Sequence, residues 1–164
     1  MALSIPFGKN EMPLNADLTG AEILESRIGT LKAEAGEDDL VRAAMAAPIG
    51  SLRLRELSAG KKTCTVIISD HTRPVPSRHI LPFLLAELRE GNSDIEITLL
   101  VATGFHRPSS PAELEAKLGS EIYRREHIMI HDSRDAESNV DIGLLPSGAR
   151  CVIDKLAAQA DLLV

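Results

Sequence analysis

The sequence predicts an α/β fold, in which an open and largely parallel sheet carries helices on both faces. Residues Thr63–Ser69 form an almost continuous apolar run, which is typical of a strand buried on both faces. Residues Glu96–Ala102 repeat that pattern, and a helical stretch lies between the two runs. Buried strands that alternate with helices indicate parallel strands joined by helical crossovers, and the fold class follows from this alternation.

The region before the first buried strand predicts a hairpin and a helix. Apolar segments at 3–7 and 12–14 flank a turn at Gly8-Lys9, and their prolines suit edge strands. Apolar residues at positions 40, 41, 44 and 45 have helical spacing, which predicts a helix over 37–47. Pro48-Ile49-Gly50 ends that helix.

The remaining elements follow the same alternation of strand and helix. A helix is predicted over 77–90, with Pro82 in its first turns and Gly91 after its end. Ser110-Pro111-Ala112-Glu113 is a capping box with proline at the first helical position, and Gly119 closes the helix that it begins. The predicted sheet is Rossmann-like. Its last elements are strands at 127–131 and 140–145, a helix at 154–160 and an apolar segment at 161–164.

Composition excludes several classes of function. The chain has 164 residues, 24 acidic against 18 basic side chains, a formal net charge of −6, one Tyr, three Phe and no Trp. Binding to nucleic acid or to an anionic membrane needs a cationic surface, and stacking on bases needs aromatic rings. The beginning of the sequence lacks the charged start and apolar run of a signal peptide, so we expect a cytoplasmic protein.

A polar loop directly follows the first buried strand. Its residues Asp70, His71, Thr72 and Arg73 precede a predicted helix, whose first turn favours anions. Arg73 offers a planar fork of donors that suits a carboxylate or a phosphate. The sequence therefore predicts an anion site; the alternative is that Arg73 pairs internally with Asp70 and only ties the loop down. Asp70 would otherwise orient Arg73 for a ligand or accept from amides of the loop. His71 either belongs to this site or points into solvent.

His106 follows the second buried strand in an equivalent loop. Ligands bind beyond the carboxyl ends of parallel strands, so both loops are expected at one edge of the sheet. The ordinary pKa of histidine suits proton transfer at neutral pH, and His106 is a candidate acid/base residue; the alternative is an exposed loop histidine without a chemical role. His131-Asp132, at the end of a later strand, is a weaker candidate for the same edge.

A divalent metal site is a further alternative, built from Asp70, His71, His106 and His131. No HxH, HExxH or paired-cysteine spacing supports it. The sequence also lacks GxGxxG, GxxxxGK[ST] and GxSxG, so it gives no support for the common dinucleotide, P-loop and serine-nucleophile sites.

Two motifs together resemble a known family. The first is Asp70-His71-Thr72-Arg73-Pro74 and the second is Thr103-Gly104-Phe105-His106-Arg107, each after a buried strand. In this order they resemble the N-terminal catalytic domain of the nickel-pincer lactate racemase family. The likeness extends over the whole chain, through the Gly8-Lys9 turn, Pro48-Ile49-Gly50, His131-Asp132 and residues 156–164.

The resemblance implies an isomerase that interconverts the enantiomers of lactate or a similar 2-hydroxy acid. It implies a nickel-pincer pyridinium thiocarboxylate mononucleotide as cofactor, contacted by Asp70, His71, Thr72 and Arg73. Arg73 would also hold the substrate carboxylate, and His106 would be one of two acid/base histidines. Proteins that synthesise the cofactor and insert nickel are the implied partners.

The resemblance also implies that residues 1–164 are an N-terminal domain truncated at its C-terminal end. The second acid/base histidine, the lysine that carries the cofactor and the histidine that ligates nickel would then lie outside this sequence, as would a second domain. We therefore expect the fragment alone neither to racemise lactate nor to retain nickel. The alternatives are a non-catalytic module that binds phosphate or carboxylate and a divalent-metal hydrolase.

Overall fold

The structure, a computed structural model, describes residues 3–22, 24 and 26–164, so the first two residues of the predicted domain lie outside the described residues. The chain divides into two units, residues 1–34 and residues 35–164. The first unit contains the predicted hairpin. Strands β1 (Leu3–Phe7) and β2 (Asn10–Leu14) are antiparallel, and Gly8 takes a positive φ of 63° in the turn between them. A single 3₁₀ turn follows at Ile28–Thr30.

The second unit is built on a four-stranded sheet in which every strand is parallel to its neighbours. Its strands are β3 (Thr63–Ser69), β4 (Glu96–Ala102), β5 (His127–Ile130) and β8 (Leu162–Leu163), in the order β5-β4-β3-β8. The predicted parallel sheet is confirmed, including a strand in the last apolar segment.

Six helices accompany this sheet in the described part of the second unit. They are α1 (Glu37–Ala46), α2 (Leu54–Leu57), α3 (Ser77–Gly91), α4 (Pro111–Leu118), α5 (Ser120–Arg125) and α6 (Lys155–Gln159). Helix α4 begins at the predicted capping box and ends at Gly119. The short helices α2 and α5 are not predicted by the sequence.

The core lies on one face of the sheet. Alternate strand residues such as Val66 and Leu99 pack against buried leucines of α3 and α4, Leu85 and Leu118 among them. Side chains alternate between the faces of a strand, so Thr65 points to the opposite face, where its hydroxyl donates to the carbonyl of Leu156 in α6. The sheet therefore has helices on both faces, with the larger core beneath α3 and α4.

The segment between β5 and β8 differs from the sequence-based prediction. Strands β6 (Asn139–Leu144) and β7 (Arg150–Asp154) form an antiparallel hairpin of their own. The sequence predicts a strand near β6 but misses β7, which runs directly into α6. Both strands are short and mostly exposed or half-buried, so their apolar pattern is weak.

In the part of the chain that the structure describes, no helix has the length and apolar character needed to cross a membrane.

Candidate functional site

The strand register brings the ends of three strands side by side. Ser69 pairs with Ala102, and Val101 pairs with Ile130, so β3, β4 and β5 finish at one edge of the sheet. The residues that follow them therefore start from neighbouring positions. The predicted convergence of the two polar loops is confirmed by a direct contact between them.

Asp70 and His106 form that contact. The Nδ1 atom of His106 lies 2.6 Å from Oδ2 of Asp70. Oδ1 of Asp70 accepts from the hydroxyl of Thr72 at 2.6 Å and from its backbone amide at 3.1 Å. Asp70 is only 1% exposed, so its carboxylate is buried with both oxygens engaged. Of the sequence-based alternatives for Asp70, acceptance from a loop amide is the one present.

This arrangement fixes the orientation of the histidine ring. A carboxylate is an acceptor, so Nδ1 carries a proton and donates it to Asp70. In the neutral ring Nε2 then keeps its lone pair, and 46% of the His106 side chain is exposed. Gly104 allows the tight turn before it with a φ of +57°, and the amide of His106 donates to the Thr103 carbonyl at 3.0 Å. The result is a partly exposed imidazole ring held at Nδ1 by Asp70.

The hydrogen bonds to Asp70 also stabilise its charged form. The Thr72 hydroxyl, followed by His106 and the Thr72 amide, lowers the pKa of Asp70 to about 2, against the opposing effect of burial. Asp70 is therefore a carboxylate at neutral pH. Its charge therefore stays beside Nδ1 of His106, the atom that it accepts from.

Arg73 is exposed and does not pair with Asp70. Among the described residues, its guanidinium has no hydrogen-bond or ion-pair partner, so the internal pairing considered from the sequence is absent. Its backbone is held instead: its amide lies 3.4 Å from the Asp70 carbonyl, and its own carbonyl accepts from Lys117 Nζ at 3.0 Å. Arg73 thus presents a cation from an anchored backbone.

His71 lies against the second loop instead of pointing into solvent. Its Nδ1 is 2.8 Å from the hydroxyl of Ser109, and its Nε2 is 3.6 Å from Oε1 of Glu113. Ser109 is buried, and 17% of the His71 side chain is exposed. The sequence gives no signal for Ser109, because a single serine before a helix has many roles.

Glu113 has more partners than its capping role requires. Arg107 binds it with two hydrogen bonds, of 2.6 and 2.8 Å, and the Ser110 amide donates to it at 2.8 Å. These contacts, led by Arg107, hold the pKa of Glu113 well below its usual range. The capping box predicts the bond with Ser110 but not the pair with Arg107.

A cleft of about 520 Å³ lies beside this site, at the start of α3. Arg73, Arg78 and Lys117 bring positive charge to its wall, and Glu37 and Glu113 bring negative charge. Ser77, in the first turn of α3, also lines it and is only 4% exposed.

His131 lies at the same edge of the sheet, but its ring contacts Asp154 instead of Asp70 or His106. Its Nδ1 is 3.0 Å from Oδ2 of Asp154, the residue that caps α6. Among the described residues, no group of three or more His, Cys, Asp or Glu side chains is placed to hold a metal ion. The metal site composed of Asp70, His71, His106 and His131 is therefore not formed.

Comparison with known proteins identifies the family. Residues 7–164 match the profile of the lactate racemase N-terminal domain. The chain belongs to this family.

Two relatives named lactate racemase match almost the whole chain. The lactate racemase of Thermoanaerobacterium thermosaccharolyticum is 45% identical over 163 residues, which are 99% of this chain and 38% of that protein. The lactate racemase of Lactiplantibacillus plantarum is 45% identical over 165 residues, or 100% of this chain and 39% of that protein. The chain thus spans less than half the length of these relatives.

A solved structure supports the fold. The lactate racemase apoprotein of T. thermosaccharolyticum superposes with a TM-score of 0.82 at 42% identity, covering 99% of this chain and 38% of that one. The resemblance identified from the two motifs is therefore confirmed as membership of the lactate racemase family, and so is the α/β fold class. The roles given to Asp70, His71, Thr72, Arg73 and His106 stay predictions.

Proposed function

We propose that the whole protein is an isomerase that interconverts the enantiomers of lactate or another 2-hydroxy acid, and that Arg73 and His106 are catalytic. Membership of the lactate racemase family supports the reaction class. The observation that carries the residue assignment is the Asp70–His106 contact at the sheet edge where Arg73 also lies, its guanidinium without a partner among the described residues.

Arg73 would bind the substrate carboxylate. A guanidinium makes two parallel hydrogen bonds to a carboxylate, which fixes orientation as well as position. The bond from Lys117 to its carbonyl restricts the backbone from which the side chain extends. A substrate clamped by its carboxylate has its carbinol carbon and hydroxyl in defined places.

His106 would transfer the hydroxyl proton. Nε2 would accept this proton as the carbinol carbon of one enantiomer loses hydride, which leaves a keto acid, and it would return a proton when hydride is delivered back to the same face. Asp70 keeps Nδ1 as the donor and stabilises the imidazolium that forms. Proton transfer on the other face needs a second acid/base group, which the family resemblance assigns to a histidine outside this sequence.

The family resemblance implies a nickel-pincer pyridinium thiocarboxylate mononucleotide, which when bound supplies the hydride acceptor and donor. Part of the site fits such a group: Arg73 and the buried Ser77 line the cleft at the start of α3, where a phosphate is favoured. The hydroxyl of Thr72 donates its proton to Asp70, so Thr72 would contribute by holding Asp70 and the loop. Asp70 would act through His106, since its oxygens are already engaged, and His71 through the loop. The described residues provide no nickel ligand set, so nickel is not assigned to them.

We further propose that the protein acts in the cytoplasm and depends on cofactor-synthesis and nickel-insertion proteins. Its substrate is a small anion, and its formal net charge of −6 disfavours a nucleic-acid or anionic-membrane partner.

The test is inversion of a panel of single-enantiomer 2-hydroxy acids by the full-length protein, co-expressed with the cofactor-synthesis proteins and followed by chiral chromatography. We expect one acid to racemise, and both Arg73→Ala and His106→Ala to lose the activity. His127→Ala and Arg125→Ala are matched controls, because His127 begins β5 at the other end of the sheet and Arg125 is exposed on α5.

The alternative, a non-catalytic anion-binding module, predicts a different result. Nickel-loaded protein would then turn over no acid of the panel, and Arg73→Ala but not His106→Ala would weaken binding of inorganic phosphate. That outcome would overturn the proposed racemase activity and leave only the anion site.

A further inference from the structure

The two loops that meet at Asp70 and His106 are joined a second time through Glu113. On one side, Glu113 binds Arg107, the residue after His106, with two hydrogen bonds of 2.6 and 2.8 Å. On the other side, its Oε1 is 3.6 Å from Nε2 of His71, the residue after Asp70. One carboxylate therefore contacts the sequence neighbour of each member of the Asp70–His106 pair.

Helix α4 makes a third connection one turn further along. Lys117 lies four residues after Glu113, on the same side of the helix, and donates to the Arg73 carbonyl at 3.0 Å. The first turns of α4 thus hold the backbone beside Arg73 and, through Arg107, the backbone beside His106.

We propose that Glu113 is a positioning residue, which sets the place of the His106 ring relative to Asp70 and Arg73 by holding Arg107 and His71. Its consequence for catalysis rests on the proposed racemase function. The geometric part is independent of that function.

Helix capping alone does not account for the contacts of Glu113. A capping box needs one side-chain oxygen to accept from the Ser110 amide, and Oε2 does so at 2.8 Å. Oε1 takes no part in that bond and is directed at Arg107 and His71. Glutamine also serves in a capping box, so Glu113→Gln can keep the cap and the fold while it removes the charge.

The surroundings of His106 explain why its ring needs a further restraint on its position. Its ring is nearly half exposed and lies in a surface loop with Gly104 at a positive φ. Among the described residues, the hydrogen-bond partners of the ring are Asp70 and, more weakly at 3.5 Å, the Thr72 hydroxyl. A displacement of about 1 Å at a reacting group costs up to about 10²-fold in rate.

The experiment compares Glu113→Gln with Glu115→Gln in the full-length protein. Glu115 lies on the same helix and forms an ion pair with Arg124 at 3.6 Å, away from both loops, so it controls for the loss of a helix carboxylate. The first readout is the imidazole NMR spectrum with ¹⁵N-labelled histidine, in which the His106 signals are assigned by their loss in His106→Ala. The second is racemisation of the acid found active in the panel, and thermal unfolding monitors the fold.

We expect Glu113→Gln to unfold within a few degrees of the Glu115→Gln control, and to shift His106 from the Nδ1-protonated tautomer towards the Nε2-protonated one. We expect kcat to fall by about 10- to 100-fold with a smaller change in KM, because the chemical step depends on orientation. Arg107→Met is expected to have the same effect, and the double variant to be no worse than either single variant.

The proposal is overturned if Glu113→Gln keeps the wild-type His106 tautomer spectrum and, where the wild type is active, the wild-type kcat. Failure of the proposed function looks different: the wild type would racemise no acid, while the tautomer change in Glu113→Gln would still be seen. A tautomer change in Glu115→Gln of the same size would also overturn it.

Discussion

Two histidine–aspartate pairs lie at the same edge of the sheet, and their surroundings differ. In both pairs Nδ1 of the histidine faces Oδ2 of a buried aspartate, at 2.6 Å for His106–Asp70 and 3.0 Å for His131–Asp154. The His106 side chain is 46% exposed, whereas the His131 side chain is 19% exposed. The same pair thus occurs once with an open ring and once with a mostly covered one.

The carboxylate oxygen that does not face the histidine indicates the role of each pair. In Asp70 it holds Thr72, in the loop that also carries Arg73. In Asp154 it caps α6 by accepting from the Leu156 amide. We infer that the first pair holds a reactive ring in place, and that the second ties β5 to the start of α6. A His–Asp contact alone does not identify a catalytic pair.

The largest expected difference between the two pairs is in activity after loss of each histidine. For His106→Gln we expect racemisation to fall by about 10²- to 10⁴-fold, the usual contribution of a positioned acid/base group. For His131→Gln we expect a change of less than about 3-fold, because its nitrogen is used by Asp154. Initial rates with the active 2-hydroxy acid measure both. Equal losses from the two variants would show that the two histidines do not differ in their importance for activity.

Replacing the aspartates sharpens the same comparison. Asp70→Asn removes the charge behind His106 and allows the amide NH₂ to face Nδ1, which favours the wrong tautomer. We expect kcat to fall on the order of 10²-fold, by the mechanism known for an aspartate behind a catalytic histidine. Asp154→Asn is the matched control and should leave kcat nearly unchanged. Comparable kcat values for the two variants would show that Asp70 is not needed behind His106.

For the stability of the fold, in contrast to activity, we expect the His131–Asp154 pair to matter more, because Asp154 also caps α6. Asp154→Ala removes the cap of α6 as well as the partner of His131, and we expect a loss of about 1–2 kcal/mol in the free energy of unfolding. Asp154→Asn keeps a good capping residue and should lose less. Urea unfolding of the full-length protein measures the difference. Equal stability of Asp154→Ala and the wild type would contradict a structural role for this pair.

The sequence predicts the elements whose local signals are strong. The buried runs of β3 and β4 and the capping box of α4 appear at the predicted residues, because continuous apolar strands and a Ser110–Glu113 cap depend on few neighbours. The short helices α2 and α5 and the strand β7 are missed. Each is six residues or shorter and carries little periodic pattern.

The sequence predicts where the site lies, but not which side chains contact one another there. The position of both loops after neighbouring parallel strands brings Asp70 and His106 to one edge, yet the sequence leaves open whether Asp70 pairs with Arg73, orients Arg73 for a ligand or accepts from loop amides. Which partner it takes depends on strand register and side-chain rotamers. The His131–Asp154 contact depends in turn on where the unpredicted strand β7 ends.

The smallest expected effect concerns acid stability, and its sign follows from the lowered pKa of Asp70. The pKa of Asp70 is about 2 in the folded chain, below the value of about 3.9 expected when it is unfolded. The folded state therefore binds this proton less readily, and the carboxylate stabilises the fold above about pH 4. That contribution declines as the pH falls from about 4 to about 2, where Asp70 becomes protonated in both states. Asp70→Asn, which cannot titrate, should show a shallower loss of unfolding free energy across this window than the wild type. Urea unfolding at several pH values measures the slopes, and parallel curves would mean that Thr72 and His106 do not stabilise the charged form of Asp70.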